Sequence, residues 1–191
     1  MEAFKVENLT FRYPETGVDV LKDICFCINK GEFITLCGPS GCGKSTLLRN
    51  MKPVLAPVGI KSGKILFNGS EISTLSQREQ SEKIGYVMQS PDNQIVTDKV
   101  WHELAFGLES LGFDNKTIRK RVAETASFFG IQSLFDKSVD ELSGGQKQLL
   151  NLASIMAMQP EVLILDEPTS QLDPIAASDF LAVISKINRE I

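Results

Sequence analysis

The stretch Gly-Pro-Ser-Gly-Cys-Gly-Lys-Ser at residues 38–45 constrains the fold of this chain more than any other feature. It has the spacing G-x-x-x-x-G-K-S, in which glycine backbone N–H groups surround an oxyanion and the following helix directs its positive end at that anion. A short apolar run with β-branched residues, 33–38, precedes it, and the residues after it have a helical pattern. We therefore expect a buried parallel strand, a phosphate-binding loop and a helix in succession, as in α/β folds.

The side chains of such a loop have separate tasks. Gly38, Gly41 and Gly43 let the backbone curl around the anion. Lys44 reaches the β- and γ-phosphates of a nucleotide, and Ser45 offers its hydroxyl group to Mg²⁺. The spacing is not G-x-G-x-x-G, which disfavours a dinucleotide site. A glycine-rich turn that matches by chance is the alternative, and the strand and helix around the loop argue against it.

Two acids follow another apolar run, Val-Leu-Ile-Leu at 162–165. A carboxylate at the carboxyl end of a parallel strand lies where ligands bind in open α/β sheets. Asp166 can therefore join the coordination shell of Mg²⁺, and Glu167 can orient and polarise an attacking water molecule. The alternative is a strand followed by an acidic helix cap. The phosphate-binding loop upstream favours the catalytic interpretation.

A second glycine-containing helix start, Leu-Ser-Gly-Gly-Gln, lies at 142–146. Ser143 and Gln146 have the spacing of a capping box. Gly144 and Gly145 then fall in the first helical turn, where each costs up to about 1 kcal/mol relative to Ala. Because bare backbone at a helix N-terminus suits a closely approaching anion, we interpret this stretch as a second phosphate-binding element.

The rest of the chain alternates between strand-like and helix-like patterns. Residues 3–11 alternate as an exposed strand does, and 83–89 resemble a core strand. From residue 90 to 141 the pattern is helical, which indicates an inserted helical subdomain in an α/β protein with a mainly parallel sheet. Asp173 and Pro174 open the last helix as its N-cap and first residue. Further strands are expected at 20–29 and 62–69, and the last helix has apolar Ile175, Phe180, Ile184 and Ile187 near one face.

Charge and cysteine content exclude several classes of protein. The 20 basic and 24 acidic residues give a net charge of −4, which argues against a protein that coats nucleic acid. No C-x-x-C pair exists among Cys25, Cys27, Cys37 and Cys42, and the single His102 cannot complete a zinc site. We expect buried or tolerated free thiols in a reducing cytosol. The amino terminus has no signal-peptide pattern, and every apolar run is too short to cross a bilayer. If the protein works at a membrane, we expect another chain to supply the membrane-spanning segments.

The order of motifs resembles that of the ATP-binding cassette (ABC) ATPases. The resemblance is carried by Gly-Pro-Ser-Gly-Cys-Gly-Lys-Ser-Thr at 38–46, Gln89, Leu-Ser-Gly-Gly-Gln at 142–146, Leu-Ile-Leu-Asp-Glu-Pro-Thr at 163–169 and Ser-Gln-Leu-Asp at 170–173. It covers essentially the whole chain, and the signature at 142–146 is highly specific in this order. It implies a P-loop NTPase (RecA-like) α/β fold, with an N-terminal antiparallel β subdomain in the nucleotide-binding core. That core would comprise residues 1–89 and 150–191, and residues 90–149 would form the inserted helical subdomain.

The resemblance also implies cofactors and partners. In this family the signature of one cassette faces the γ-phosphate bound by a second cassette across a head-to-tail dimer. The second phosphate-binding element would thus serve the nucleotide of the partner, which is either identical or a paralogue. ATP and Mg²⁺ are the expected cofactors. Integral membrane transporter subunits are the other expected partners, with the chain peripheral at the cytoplasmic face of the membrane and no role for nucleic acid.

Individual roles carry over by position. Tyr13 takes the place of the aromatic residue that stacks on adenine, with a strand-edge tyrosine as the alternative. Gln89 resembles the glutamine that touches Mg²⁺ and signals to the membrane partner, and Asp173 resembles the aspartate that couples the two sites. Catalysis is assigned to Glu167, Gln89 and Lys44, and metal binding to Ser45, Gln89 and Asp166. Nucleotide contacts are expected from Tyr13, Gly38, Pro39, Ser40, Gly41, Cys42, Gly43, Lys44, Ser45, Thr46, Ser143, Gly144, Gly145, Gln146 and Asp173.

Two features depart from the family pattern. Leu149 stands where the family often has Arg. The family's switch histidine follows the next core strand, and the sequence stops at Ile191 before that strand. His102 precedes the signature and is expected to be a surface helix residue. We therefore expect a fragment of a longer protein that binds nucleotide, hydrolyses it slowly and associates through an exposed strand edge.

The stretch 89–112 is similar to the cassettes of energy-coupling factor transporters, which import vitamins and transition-metal ions. Pro-Asp-Asn-Gln at 91–94 is its most specific part. The resemblance implies an ATP-hydrolysing subunit of such an importer. A soluble or regulatory ABC ATPase that is not coupled to transport is one alternative. A non-hydrolysing ATP-binding module is another, which Glu167 opposes and the missing histidine favours.

Overall fold

Alternating apolar side chains build an antiparallel sheet in the first part of the chain. In a computed structural model, which describes residues 1–190, the chain divides into two compact units, Met1–Ser81 and the residues from Glu82 onward. The first unit holds a four-stranded sheet of order β2-β1-β3-β4, in which every pair is antiparallel. The strands are β1 (Glu2–Arg12), β2 (Asp19–Asn29), β3 (Ile60–Phe67) and β4 (Ser70–Glu71).

Strand β1 is an inner strand of this sheet and not an edge strand. Val6 pairs with Phe26 of β2 on one side and with Ile65 of β3 on the other. The strand predicted at 3–11 is therefore confirmed, but its description as exposed was wrong, since two neighbours cover its backbone and its apolar side chains are buried. One face of β1 is buried, and the Phe4 ring packs against Phe67 with a centroid distance of 5.1 Å.

Two short helices complete the first unit. Helix α1 (Lys44–Asn50) follows the phosphate loop as expected, and α2 (Gln77–Lys83) begins in the first unit and ends just past its last residue, Ser81. The sequence did not predict α2, because this short, polar helix has no periodic apolar face. Gln80 is its one buried residue, and its amide group bonds the Val54 N–H and the Leu75 carbonyl.

The predicted buried strand at 33–38 was wrong. No ladder joins this segment to another strand among the described residues, and the Phe33 and Ile34 side chains are each 57% exposed. A strand requires a hydrogen-bonded neighbour, and in its own unit the sheet is completed by antiparallel strands instead. The four cysteines are also exposed free thiols, so the buried alternative is wrong for them: Cys25, Cys27, Cys37 and Cys42.

The second unit combines a parallel strand pair with four helices. Strands β5 (Ile84–Val87) and β6 (Val162–Leu165) are parallel, with Tyr86 opposite Ile164. The helices are α3 (Val100–Ser110), α4 (Asn115–Phe129), α5 (Gly144–Ala157) and α6 (Pro174–Glu190). The helical pattern predicted for 90–141 is thus confirmed for α3 and α4, while the proposed subdomain boundaries stay a prediction.

One apolar cluster holds the helices and β5 together. Val87, Leu104, Leu150 and Leu152 are almost fully buried within it. Helix α6 adds Phe180, Ile184 and Ile187, but Ile175 is 75% exposed, contrary to expectation. Ile175 precedes Phe180 by five positions, which places it well over 100° around the helix from the buried side chains. Among the described residues, no helix has both the length and the apolar character that crossing a bilayer requires.

Candidate nucleotide site

The phosphate loop closes on itself through the side chain of Lys44. Its Nζ donates to the carbonyl oxygens of Gly38, at 3.0 Å, and of Pro39, at 3.1 Å. Gly43, the residue before α1, has φ +97°, and a Cβ there would come within 3.1 Å of the Val20 carbonyl oxygen. Both the left-handed backbone and the close approach require glycine at this position. The loop therefore places an ammonium group beside the start of a helix, which is the arrangement that an anionic phosphate chain needs.

Tyr13 is anchored next to the same helix. Its hydroxyl group bonds the hydroxyl of Thr46 at 3.0 Å, and its ring meets the ring of Phe11 edge to face at 5.0 Å. Thr46 is buried, whereas Tyr13 is only partly so. The structure thus brings Tyr13 to the start of α1, and its stacking on adenine stays a prediction.

The two acids predicted for the site lie at the carboxyl end of the parallel pair. The Asp166 N–H continues the ladder beyond β6 by donating to the Val87 carbonyl at 3.0 Å. Its carboxylate is buried and accepts a hydrogen bond of 2.9 Å from the Tyr86 hydroxyl. Glu167 is exposed and accepts a bond of 3.4 Å from Nε2 of Gln89. The structure therefore brings Gln89 and Glu167 together, and their catalytic roles stay a prediction.

Glu167 also has an unusual backbone. Its φ of +47° lies in the left-handed region, which a non-glycine residue occupies only at a cost of order 1–3 kcal/mol. The turn after it holds that conformation, because the Glu167 carbonyl accepts from the N–H and the hydroxyl of Ser170, at 3.1 and 2.9 Å. Such strain is typical of sites where a side chain must take one direction.

The second phosphate-binding element has the capping box that its sequence predicts. The Ser143 hydroxyl accepts from the Gln146 N–H at 3.3 Å, and the Gln146 side-chain oxygen accepts from the Ser143 N–H at 3.0 Å. Gly144 faces open space, as an approaching anion would need. At position 145 a glycine is also required by packing within the chain, because a Cβ there would lie 2.9 Å from the Cβ of Ala176 on α6. Gly145 is therefore needed for the close approach of α6, which the sequence did not predict.

Helix α6 begins as predicted at Asp173. One carboxylate oxygen of Asp173 accepts from the N–H groups of Ile175 and Ala176, at 2.9 and 3.0 Å. The cap is confirmed, and the coupling role of Asp173 stays a prediction. A groove of about 210 Å³ separates the start of α5 from the first turns of α6, with Leu149 and Phe180 among its lining residues. Leu149 thus packs on apolar neighbours where the family often carries a charge.

Sequence reasoning missed a cluster of amide side chains next to Gln89. Gln94 bonds backbone groups of Tyr86 and Met88, and its oxygen also accepts from the Asn151 amide group at 2.9 Å. Gln148 donates to the Met88 carbonyl at 3.2 Å. Gln148 and Asn151 are fully buried. Two amides in the otherwise apolar run of α5 are the signal that could have revealed the cluster.

An ion pair joins the same segment to α5. Nζ of Lys147 lies 2.7 Å from a carboxylate oxygen of Asp92. The hydrogen bond to Asp92 raises the pKa of Lys147 above its ordinary value, so the pair is intact at neutral pH. The residues 91–94, which carry the most specific part of the resemblance, are therefore fastened to the helix that carries the signature.

The donors proposed for Mg²⁺ are the hydroxyl of Ser45, the amide oxygen of Gln89 and the carboxylate of Asp166. These are oxygen ligands of the kind that Mg²⁺ prefers, and a site completed by nucleotide phosphates needs few of them. Within residues 1–190, no group of three or more His, Cys, Asp or Glu side chains could hold a metal ion on its own. Each of the three side chains carries such an oxygen, and their joint binding of Mg²⁺ stays a prediction.

Comparison with known sequences decides the family. The sequence model of one family, described as "ABC transporter", matches residues 21–170. The chain belongs to the ABC transporter family. This ABC cassette is similar to a protein of Bacillus cereus that is named as an ABC transporter ATP-binding protein, with 46% identity over 98% of the cassette. A protein of the same name from Methanosarcina acetivorans is 38% identical over 98% of the cassette. The cassette spans 34% of the Bacillus protein and 56% of the archaeal one.

Solved structures confirm the predicted fold of the cassette. It is similar to CbiO1 of Clostridium perfringens, part of the ABC transporter complex CbiONQ, with 38% identity and a TM-score of 0.86 over 99% of this chain and 74% of that one. It is also similar to the ATP-binding cassette MJ0796, a dimer bound to ADP and Pi, with 25% identity and a TM-score of 0.80 over 98% and 83% of the two chains. The fold is therefore that of an ABC ATPase cassette, a P-loop NTPase.

Proposed function

We propose that this cassette binds and hydrolyses ATP to power an energy-coupling factor type importer of a vitamin or a transition-metal ion. The observation that carries the proposal is the contact between Gln89 and Glu167 at the end of the parallel strands, in a chain that also has a complete phosphate loop. A module that only bound ATP would need the loop and not the paired acid and amide. The hydrolytic function therefore explains more of the chain than ATP binding alone.

Nucleotide binding would rest on the first unit. The Lys44 ammonium group, now bonded to two loop carbonyls, would exchange one or both for phosphate oxygens of ATP. The backbone N–H groups of residues 38–46 would surround the phosphates, and Tyr13 would stack on the adenine ring. Ser45, Gln89 and Asp166 would supply oxygen ligands to Mg²⁺, which neutralises charge on the phosphates when it is bound.

Water activation would rest on Glu167. Its carboxylate is exposed and can accept a proton from water, while the amide group of Gln89 beside it can orient that water. The Tyr86 hydroxyl keeps the neighbouring Asp166 carboxylate in a fixed direction. The two acids thus have separate environments, one buried for the metal and one open for the water.

A second cassette would complete the site through the signature. Ser143 and Gln146 are exposed or partly exposed at the start of α5, and Gly144 leaves the backbone accessible. These groups would contact the γ-phosphate of the nucleotide held by the partner. The similar cassette that forms a dimer with ADP and Pi supports a paired arrangement.

A membrane subunit is the other proposed partner. Val96, Trp101 and Phe106 expose 62%, 42% and 43% of their surface in and just before α3, close in sequence to Gln89. Large apolar side chains that remain exposed are available to an apolar helix of another protein. CbiO1, the similar solved structure, belongs to a transporter complex, which supports a place at the cytoplasmic face of the membrane for this cassette.

The direct test measures binding and phosphate release in the full-length protein that contains this cassette. We expect calorimetric binding of ATP and phosphate release that requires Mg²⁺. Removal of the metal with EDTA should stop phosphate release, because the metal supplies the charge neutralisation for phosphoryl transfer. Phosphate release at the background rate with Mg²⁺ present, in the protein together with its co-purifying subunits, would contradict hydrolysis.

The partner is tested by crosslinking. In a background without the four native thiols, a cysteine introduced at Asn93 or Thr97 should crosslink to a membrane subunit in the assembled complex. Gln132, exposed just after α4, provides the control position. Crosslinks from Asn93 or Thr97 that reach only water-soluble proteins would argue for a cassette that is not coupled to transport.

A further inference from the structure

The side chain of Gln94 acts as a strand partner at the end of β5. In that strand the Val87 carbonyl faces β6, where it accepts from the Asp166 N–H. Backbone groups alternate in direction along a strand, so the neighbouring Tyr86 carbonyl and Met88 N–H face the other side. Gln94 occupies that side: its amide N–H donates to the Tyr86 carbonyl at 2.7 Å, and its oxygen accepts from the Met88 N–H at 2.8 Å. One carboxamide thus replaces a peptide group of a neighbouring strand.

The two residues whose backbone Gln94 holds are directly connected to the acids. Tyr86 donates its hydroxyl to Asp166, and Met88 immediately precedes Gln89, which reaches Glu167. If the loss of a hydrogen bond to Gln94 let this backbone move, both the Tyr86–Asp166 contact and the Gln89–Glu167 contact would be displaced. Gln94 itself touches neither acid in the hydrogen bonds described, so its influence passes through residues 86–89.

The same carboxamide is fixed from the opposite side by the signature helix. Asn151 of α5 donates to the Gln94 oxygen, and Gln148 donates to the Met88 carbonyl. The remaining side-chain oxygens of Gln148 and Asn151 are buried without a hydrogen-bond partner in the described part of the chain. Apolar side chains of similar size would avoid that cost, which argues that the amides serve the connection and not packing alone.

We propose that Gln94 is a positioning residue for ATP hydrolysis, which sets the direction of Gln89 toward Glu167 and joins it to the signature helix through Asn151. The inference rests on the proposed hydrolytic function and adds a residue to it. It assigns no substrate contact to Gln94. It explains why the segment 91–94 is fastened to α5 twice, once by amides and once by the Lys147–Asp92 ion pair.

The test uses steady-state kinetics of the full-length protein. For Gln94→Ala we expect kcat to fall about tenfold with the KM for ATP changed by less than about twofold, since the lost contact acts on turnover and not on nucleotide binding. Gln94→Glu keeps the size and the acceptor but loses the donor to Tyr86, so kcat should fall there too. Gln132→Ala, an exposed amide outside the cluster, is the matched control and should leave both constants unchanged.

A double variant separates positioning from a general loss of stability. If Gln94 acts through Gln89, the variant Gln89→Ala with Gln94→Ala should lose less than the product of the two single losses. Losses in kcat that multiply, or a Gln94→Glu variant as active as the unaltered protein, would overturn the proposal while leaving hydrolysis itself established.

Hydrogen exchange gives a readout that does not depend on hydrolysis. In Gln94→Ala the Met88 amide loses its acceptor, so its exchange should become faster, and the exchange of the first turns of α5 should also become faster. If the full-length protein proves inactive, the proposed function fails. Faster exchange would then still show that Gln94 holds the backbone of residues 86–88. Unchanged exchange at Met88 would overturn the proposed positioning role of Gln94, whatever the activity.

Discussion

The phosphate loop and the acid pair differ in how the chain holds them. In the loop, the bonds that fix Lys44 reach five and six positions back along the sequence. At the acid pair, Tyr86 and Asp166 are 80 positions apart, and Gln89 and Glu167 are 78 apart. The loop is therefore a local structure that its own sequence specifies. The acid pair depends on strand pairing and on the packing of α5, so it should be sensitive to changes at a distance.

The largest expected effect is on ATP affinity at the phosphate loop, where stability should change little. Lys44→Ala should weaken MgATP binding by at least about a hundredfold, because two charge-assisted hydrogen bonds to phosphate contribute roughly 3 kcal/mol or more. The free energy of unfolding should change much less, since the Gly38 and Pro39 carbonyls that the Lys44 ammonium bonds are exposed and can bond water in its place. Calorimetry and urea unfolding of the full-length protein measure the two quantities.

Unchanged affinity would contradict the assignment of the loop. A large loss of stability would contradict the view that the loop is a local structure.

The chain has two tyrosines, and the hydroxyl group of each bonds a residue that was predicted to belong to the site. Tyr86→Phe removes a donor to the buried carboxylate of Asp166, which should destabilise the protein by about 1.5–3 kcal/mol. Tyr13→Phe removes a bond to the Thr46 hydroxyl, for which about 1 kcal/mol is expected. Urea unfolding of both variants compares the two hydrogen bonds directly. Equal losses would mean that the acid pair is no more dependent on buried contacts than the loop.

A smaller effect is expected at the start of α5. Ser143→Ala removes the N-cap hydroxyl, which should cost about 1 kcal/mol of stability. Ser143→Asn keeps a capping acceptor and serves as the control. Thermal unfolding of both variants in the absence of nucleotide measures the structural part alone. If Ser143→Ala were fully stable and still failed to bind a second cassette, the hydroxyl would serve only the partner.

The smallest effect concerns pH and the Lys147–Asp92 pair. Asp92 raises the pKa of Lys147, so the stabilisation is present in full below the ordinary lysine value of 10.5 and is lost as the pH rises through the raised value. Asp92→Asn should therefore be slightly less stable than the unaltered protein at pH 8 and should approach it at strongly alkaline pH. Unfolding curves across that range check the sign. A difference that grows with pH would contradict the pairing.

The sequence predicted the local parts of this site well. The glycine spacing at 38–45 specifies a loop and a helix, and the capping box of Ser143 and Gln146 is present in the structure. Both signals act over a few residues, so tertiary packing was not needed to find them. The resemblance placed Gln89 in the site and the acid after β6 placed Glu167 there, but neither predicted the hydrogen bond between them, which the structure shows.

Packing decided what the sequence left open. The apolar run 33–38 looks like a buried strand, but burial depends on a neighbour that a run of six residues does not specify. Gly145 faces α6, and no local pattern shows which helix will approach a glycine. Gln94 was part of a recognised stretch, yet its bonds to Tyr86, Met88 and Asn151 require the fold.

The central claim is that Glu167 activates water for the hydrolysis of ATP held by this cassette. Its most direct test is the steady-state turnover of the full-length protein at saturating MgATP, for Glu167→Gln and for Glu161→Gln, an exposed glutamate at the opposite end of β6. We expect Glu167→Gln to lower kcat by about a hundredfold or more, the contribution typical of a general base, while calorimetry finds ATP affinity nearly unchanged. Glu161→Gln should keep normal turnover. Turnover in Glu167→Gln within about twofold of the unaltered protein would contradict the claim, because a difference that small is far below the contribution of a general base.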